Sequence, residues 1–461
     1  MSRFARPPMP ALRPLAAGVL LLCGATAGAA TIPVTNCLNG GTGSLRAAAQ
    51  AAGNTDVIDL GQLQCSLITL TTGRIELPSF VTVQGPGSGL LAIDGNAYDR
   101  VFQHTGAGVL TISGLTLRNG SGFLSGGCIY SGGNVQLTDV AIRDCKVVGI
   151  AGTSTYRGGG LFVDGILAMV GSHVDGNRVY SSLGNAVGGG AYVHGDLTMT
   201  NSTISGNRAD SVASAGFANG GGAYVTGVVD ANYSTIDGNT VAALASPFGS
   251  GGGAVAGGRA SLRNSTVSGN EAGFVGGVQL KGGNTVPASL IANSTISGNR
   301  ATMATIGGVY AKAALTVANA TIAFNQEALP LGAGLFQTGF AADLQSSIIA
   351  RNGGAAGSPD VGEGLGASFG GADNLIENHG TSPVPADTIA ADPRLVGLGD
   401  NGGRTRTHLL RADSPAIDAG NNAQGLSADQ RGGAFARVHG VAADIGALEA
   451  DGDRLFANGF D

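Results

Sequence analysis

The sequence predicts an all-β protein: a right-handed parallel β-helix, or solenoid, with an N-terminal capping helix and a less regular C-terminal cap. Three observations lead there. The first is a repeat, seen in GGGLFVDGILAMVGSHVDGN (158–177), GGGAYVHGDLTMTNSTISGN (188–207), GGGAYVTGVVDANYSTIDGN (220–239) and GGGAVAGGRASLRNSTVSGN (251–270). The second is a column of β-branched residues three positions before each unit closes: Ile142, Val174, Ile204, Ile236, Val267, Ile296, Ile322 and Ile349. The third is composition, with 81 glycines in 461 residues, 43% hydrophobic residues and no collagen period. That combination reads as short strands joined by tight turns.

The repeat explains the fold. Units begin at Gly126, Gly158, Gly188, Gly220, Gly251, Gly276, Gly307 and Gly332, a spacing of 25 to 32 residues. A unit of two or three short strands cannot bury its own apolar face. Stacking coils about 4.8 Å apart pairs every strand above and below and encloses one core. The units close on Cys145, Asn177, Asn207, Asn239, Asn270, Asn299, Asn325 and Asn352, and the asparagines are expected to form a hydrogen-bonded structural ladder at one corner.

In chain order, residues 1–30 read as a Sec-type signal peptide. Arg3, Arg6 and Arg13 precede the short apolar run Leu15–Cys23, and Ala27–Ala30 offers small residues for cleavage. The run is too short for a membrane span, and no later stretch is long enough, so no transmembrane segment is expected in the mature chain. Residues 31–100 form the N-terminal cap and first coils, with SLRAAAQAAG (44–53) as the capping helix. Residues 101–355 carry the repeats, 356–450 a C-terminal region, and 451–461 a tail ending GFD. Removing the leader leaves Cys37, Cys65, Cys128 and Cys145, and local pairing gives disulfides 37–65 and 128–145. In this alignment Cys128 takes the inward position of Ala191.

Two resemblances rest on particular motifs. ADPRL, DNGG, SPAID and DIGALE, between Ala391 and Glu449, resemble the choice-of-anchor Q domain, and the N-terminal segment resembles that of secreted bacterial right-handed β-helix proteins. The GGA-led middle units are similar to polymorphic outer-membrane protein repeats, with Ile or Val mostly in place of Phe. These resemblances imply an exported protein at the outer-membrane surface of a Gram-negative bacterium or released from it, with an adhesin-like or structural role.

Catalytic signatures are missing. No NxD…DD…GHG pattern, no WxDH element, no HExxH, GxSxG or P-loop and no calcium repeat occurs. No catalytic residue, metal site or cofactor is assigned. The histidines at 104, 173, 379, 408 and 439 lack metal-ligand spacing. A net charge of −6 and scattered arginines argue against nucleic acid as partner.

The binding lead is an outward column. Alternation in GGGAYVHG sends Ala191 and Val193 inward and Tyr192 and His194 outward. The Tyr192 column reads Ile129, Phe162, Tyr192, Tyr224, Val255, Gln279, Tyr310 and Phe336; the His194 column begins Ser131, Asp164, His194 and Thr226. Phe162, Asp164, Tyr192, His194, Tyr224 and Thr226 are the candidate ligand-binding set, because aromatic faces beside polar groups suit a sugar chain. The same column also serves as cross-strand packing. Long segments after Asn177, Asn207 and Asn239 border this region. The expected role is that of a monomer binding a polysaccharide or cell-surface glycan; the alternative is a divergent polysaccharide lyase or glycoside hydrolase.

Overall fold

The computed structural model describes residues 28–450 apart from 151, 244–248, 284–286, 304–305 and 355–356. It is a parallel β-solenoid. The opening helix, Leu45–Ala51, starts on Ser44, whose side chain accepts from the Ala47 amide and so satisfies one free N–H of the first turn. Leu45, Ala48 and Ala49 turn into the first coils and close the apolar end of the stack.

Each coil then contributes strands in a fixed order. One sheet of eleven strands, from Ile75–Leu77 to Val361–Glu363, carries the segment after the glycines. A broad sheet of twenty-three strands carries two segments per coil, as in Leu167–Val170 and His173–Asp175. All strand pairs in these sheets are parallel, as one coil on the next requires. The column Ile142–Val174–Ile204–Ile236–Val267–Ile296–Ile322–Ile349 stands in continuous register, each side chain at most 2% exposed. β-Branched residues fit here because the pleat already restricts χ1.

Two polar ladders run inside the corners. From Asn207 onward, each ladder asparagine accepts, through Oδ1, from the previous one: Asn177 N and Nδ2 lie 3.0 and 2.9 Å from Asn207 Oδ1. Its own Nδ2 also reaches a carbonyl one coil back, as from Asn177 to Ile142 O. The pattern repeats through Asn207, Asn239, Asn270, Asn299 and Asn325 to Asn352. The second ladder is serine. The amides of Ser172, Ser202, Ser234 and Ser265 each donate to the hydroxyl of the next coil's serine, ending on Ser294. It follows a bend at which Asn201, Asn264, Asn293 and Asn319 hold positive φ of 45–50°, a conformation asparagine tolerates.

The long segments after the ladder asparagines are strands, not bare loops. Lys146–Gly149, Arg178–Ser181, Arg208–Ser211 and Thr240–Ala243 stack in a seven-stranded sheet, and Thr155–Arg157, Asn185–Val187 and Ala218–Asn219 return beside it. Between them lies a satellite core of Val147, Tyr156, Val179, Ala186, Ala209, Ala218, Val241 and Ala272.

Residues 391–449 double back and forth along the flank of the broad sheet. Arg406 reaches Asp237 at 2.7 Å, Gln430 bonds Thr266 and Thr295, Asn421 is held by Ser346, and the Ala447 amide donates to Thr321. Thr266, Thr295, Thr321 and Ile348 are therefore buried, whereas His173, earlier in the same column, is exposed. Asp418, Asp444 and Asp400, fixed points of the C-terminal motifs, accept backbone amides and so hold the irregular turns.

Candidate functional site

The eleven-stranded sheet presents its outer face as the sequence alternation requires. Ala191 and Val193 are fully buried, Tyr192 is half-buried and His194 is exposed. Register corrects the first member of the column. Tyr130, not Ile129, pairs with Phe162; Ile129 pairs with Leu161 and points into the core, and Ser131 lies inward opposite Val163. The cause is that the first unit has only two glycines, so Cys128 occupies the third-glycine position rather than that of Ala191. The Cys128 amide bonds the Gly160 carbonyl accordingly.

Corrected in this way, the column is a continuous stack of four rings. Tyr130 and Phe162 are 5.1 Å apart, Phe162 and Tyr192 5.4 Å, and Tyr192 and Tyr224 5.6 Å, with planes within 11° of one another. Strand pairing sets the separation, and parallel side-chain rotamers set the tilt. Val255 and Gln279 are buried and interrupt the stack, which resumes as Tyr310 on Phe336.

Polar groups border the four rings. Along one side, His194 Nδ1 stands 2.9 Å from Asp164 Oδ1, and the Thr226 hydroxyl donates to the His194 carbonyl. Cations lie over the ring faces: Arg100 on Tyr130 at 5.2 Å, Arg157 on Tyr192 at 5.5 Å and Lys281 on Tyr224 at 5.7 Å. Burial lowers the Lys281 ammonium and raises the Tyr224 phenol from their ordinary values, the latter with a smaller push from Tyr192. The structure thus brings Phe162, Asp164, Tyr192, His194, Tyr224 and Thr226 onto one strip and adds Tyr130, Arg100, Arg157 and Lys281.

His104 and His408 serve the fold. His104 is buried between Ser131 Oγ and the Ser79 carbonyl, and His408 bonds Ser297 and the Val396 carbonyl. No group of three or more metal-ligating side chains occurs among the described residues. The cysteines pair as 37–65 and 128–145.

A pair of carboxylates with raised pKa lies at the far end of the asparagine ladder, which sequence reasoning missed. Asp360 Oδ1 accepts from Asn352 N and Nδ2, and its Oδ2 accepts from the Asn378 amide. Having no N–H to pass on, it ends the ladder. Burial pushes its carboxyl up to about 6. Glu327 is buried nearby with neither oxygen hydrogen-bonded, and burial pushes its carboxyl up to about 7 against smaller pulls from Ser358 and the backbone of Gly332 and Leu331. Asp360 follows Asn352 by eight positions, off the repeat, so periodicity could not flag it.

No family model matches the chain, and no curated protein matches it in sequence. The choice-of-anchor and outer-membrane-repeat resemblances therefore stand on their motifs alone. Among solved structures, the chain is similar to the pectate lyase Pel9A, with 15% identity and a TM-score of 0.38 over 92% of this chain and 98% of that one.

Proposed function

We propose that this solenoid is a polysaccharide-binding protein that lays an extended glycan along Tyr130, Phe162, Tyr192 and Tyr224. The observation that carries the reading is the four-ring stack itself. Its steps, set by the coil rise, are comparable to the length of one pyranose unit. The exposed edges of the stacked rings would form an apolar strip for the C–H groups of the sugars, while Asp164, His194 and Thr226 along one side would take hydroxyls.

Export as a secreted or surface-displayed, adhesin-like protein belongs to the same reading. Its support is the two disulfides, which persist in oxidising compartments. Residues 1–27 of the leader and the GFD tail lie outside the described residues.

Affinity electrophoresis through gels containing neutral and acidic glycans tests the binding role. Tyr192→Ala and Phe162→Ala should each restore mobility, weakening binding about tenfold, in line with loss of roughly 1.5 kcal/mol of ring contact. Phe336→Ala, on the separate downstream pair, should not. Retardation by no glycan, or equal retardation of all three variants, overturns the proposal. Release of reducing ends or unsaturated products would instead support a lyase or hydrolase.

A further inference from the structure

The satellite layer ends in a crest of exposed apolar side chains. Strand register stacks its turn tips: the Ser182 amide bonds the Gly149 carbonyl, and the Val212 amide bonds the Ser181 carbonyl. Ile150, Ser182 and Val212 therefore follow one another from coil to coil. Around them, Phe123 is 79% exposed, Ile150 74% and Leu183 54%, with Phe217, just before the return strand, also exposed. Inward residues of the same strands already fill the satellite core, so these side chains are surplus to packing. Across four coils the crest spans roughly 15 Å. Contiguous apolar surface of this kind marks an interaction site.

Charge identifies the occupant. The four segments of the layer that surround the crest (119–125, 146–157, 178–187 and 208–219) hold Lys146, Arg157, Arg178 and Arg208 against one acid, Asp210, in a chain whose net charge is −6. Lys146, Arg178 and Arg208 pair in register, forming a basic column at the start of the strands whose far ends carry the crest. Asp210 is buried beneath Arg178 and Arg208, at 2.7 and 2.6 Å, and neutralises only part of that column. A core of protein–protein contact is depleted in charge. A basic border beside apolar tips at the outermost turn is instead what an anionic bilayer surface selects: the tips enter the acyl boundary and the cations meet headgroups.

We infer that this crest docks the protein onto an anionic lipid surface through Phe123, Ile150 and Leu183, with Lys146, Arg178 and Arg208 contacting headgroup phosphates. The site is separate from the aromatic strip and does not depend on glycan binding.

Co-sedimentation of the full protein with vesicles tests it. Wild type should pellet with phosphatidylcholine vesicles containing phosphatidylglycerol, much less with phosphatidylcholine alone, and less as salt rises. Ile150→Asp with Leu183→Asp should abolish pelleting, and Lys146→Ala should lower partitioning about fivefold. Because these side chains are exposed, melting temperature and glycan retardation should not change. Failure to pellet, equal pelleting with both vesicle types, or pelleting unaffected by the double variant overturns the inference. So does concentration-dependent self-association that the double variant removes, which would make the crest an interface between copies of the chain.

Discussion

His194 Nδ1 lies 2.9 Å from Asp164 Oδ1, joining side chains thirty residues apart on adjacent coils, and both are more than half exposed. An exposed pair of this kind adds little to stability, typically below about 1 kcal/mol. Its position beside Phe162 and Tyr192 gives it a different use. His194→Ala should leave the denaturant midpoint nearly unchanged while weakening retardation by glycan. A large stability loss with unaltered binding would assign the pair to the fold.

The asparagine ladder predicts unequal costs along its length. Asn239 Oδ1 accepts both the backbone and the side-chain N–H of Asn207, whereas Asn177 Oδ1 accepts the Cys145 amide, a residue with no amide side chain. Asn239→Leu therefore orphans one more buried donor than Asn177→Leu. At about 1–3 kcal/mol per unsatisfied group, Asn239→Leu should be the more damaging by at least about 1 kcal/mol in denaturant melts.

Stability should fall as pH rises from about 4.5 to about 7. Glu327 titrates near 7 in the folded chain against an ordinary value of 4.5, so the folded state holds a proton that the unfolded state has already released. Its contribution is complete below the unfolded value and is lost as pH passes the folded one. Glu327→Gln should flatten this slope by an amount on the order of 1–3 kcal/mol. A residual slope from Asp360 should remain below about 6, seen as melting temperature against pH. A slope unchanged in Glu327→Gln would remove Glu327 from the explanation.

The pair Arg437 and Glu449 is almost wholly buried, with Nη2 and Oε2 2.8 Å apart. Arg437→Met leaves a buried carboxylate without its cation and should cost about 3–5 kcal/mol. Limited proteolysis should then cut first within residues 391–449. Digestion starting in the repeats would show that the flank segment does not depend on this pair.

Much of the solenoid was readable because it is periodic. The aliphatic column, the closing asparagines and the inward–outward alternation of Ala191 to His194 recur at fixed spacing, so a single sequence displays each several times. The places where reading failed are those where the period breaks. A missing third glycine shifted the first unit and hid Tyr130 behind Ile129. The serine ladder was in view as the repeated Asn-Ser-Thr, yet serine at a turn has many other uses, so the motif alone did not signal a buried column. Asp360 and Glu327 lie off the repeat, and their pKa shifts come from burial. Most flank contacts join residues more than one hundred positions apart, as between Ser297 and His408, and local pattern carries no trace of them.

The packing of residues 391–449 over earlier coils also fixes an order of events during folding. A chain that folds from its N-terminus in an oxidising compartment can close the helix, both disulfides and the early coils before its last residues are placed. The coils from Thr266 to Ile348 are different, since their outer faces await Gln430, Ala447 and their neighbours at the far end of the chain. Until those last residues arrive, half of one flank is a wet, unfinished surface with stacked strands beneath it. Maturation of the molecule thus ends in its middle, and a chain truncated just short of residue 391 should be coiled throughout yet sensitive to attack on that side alone.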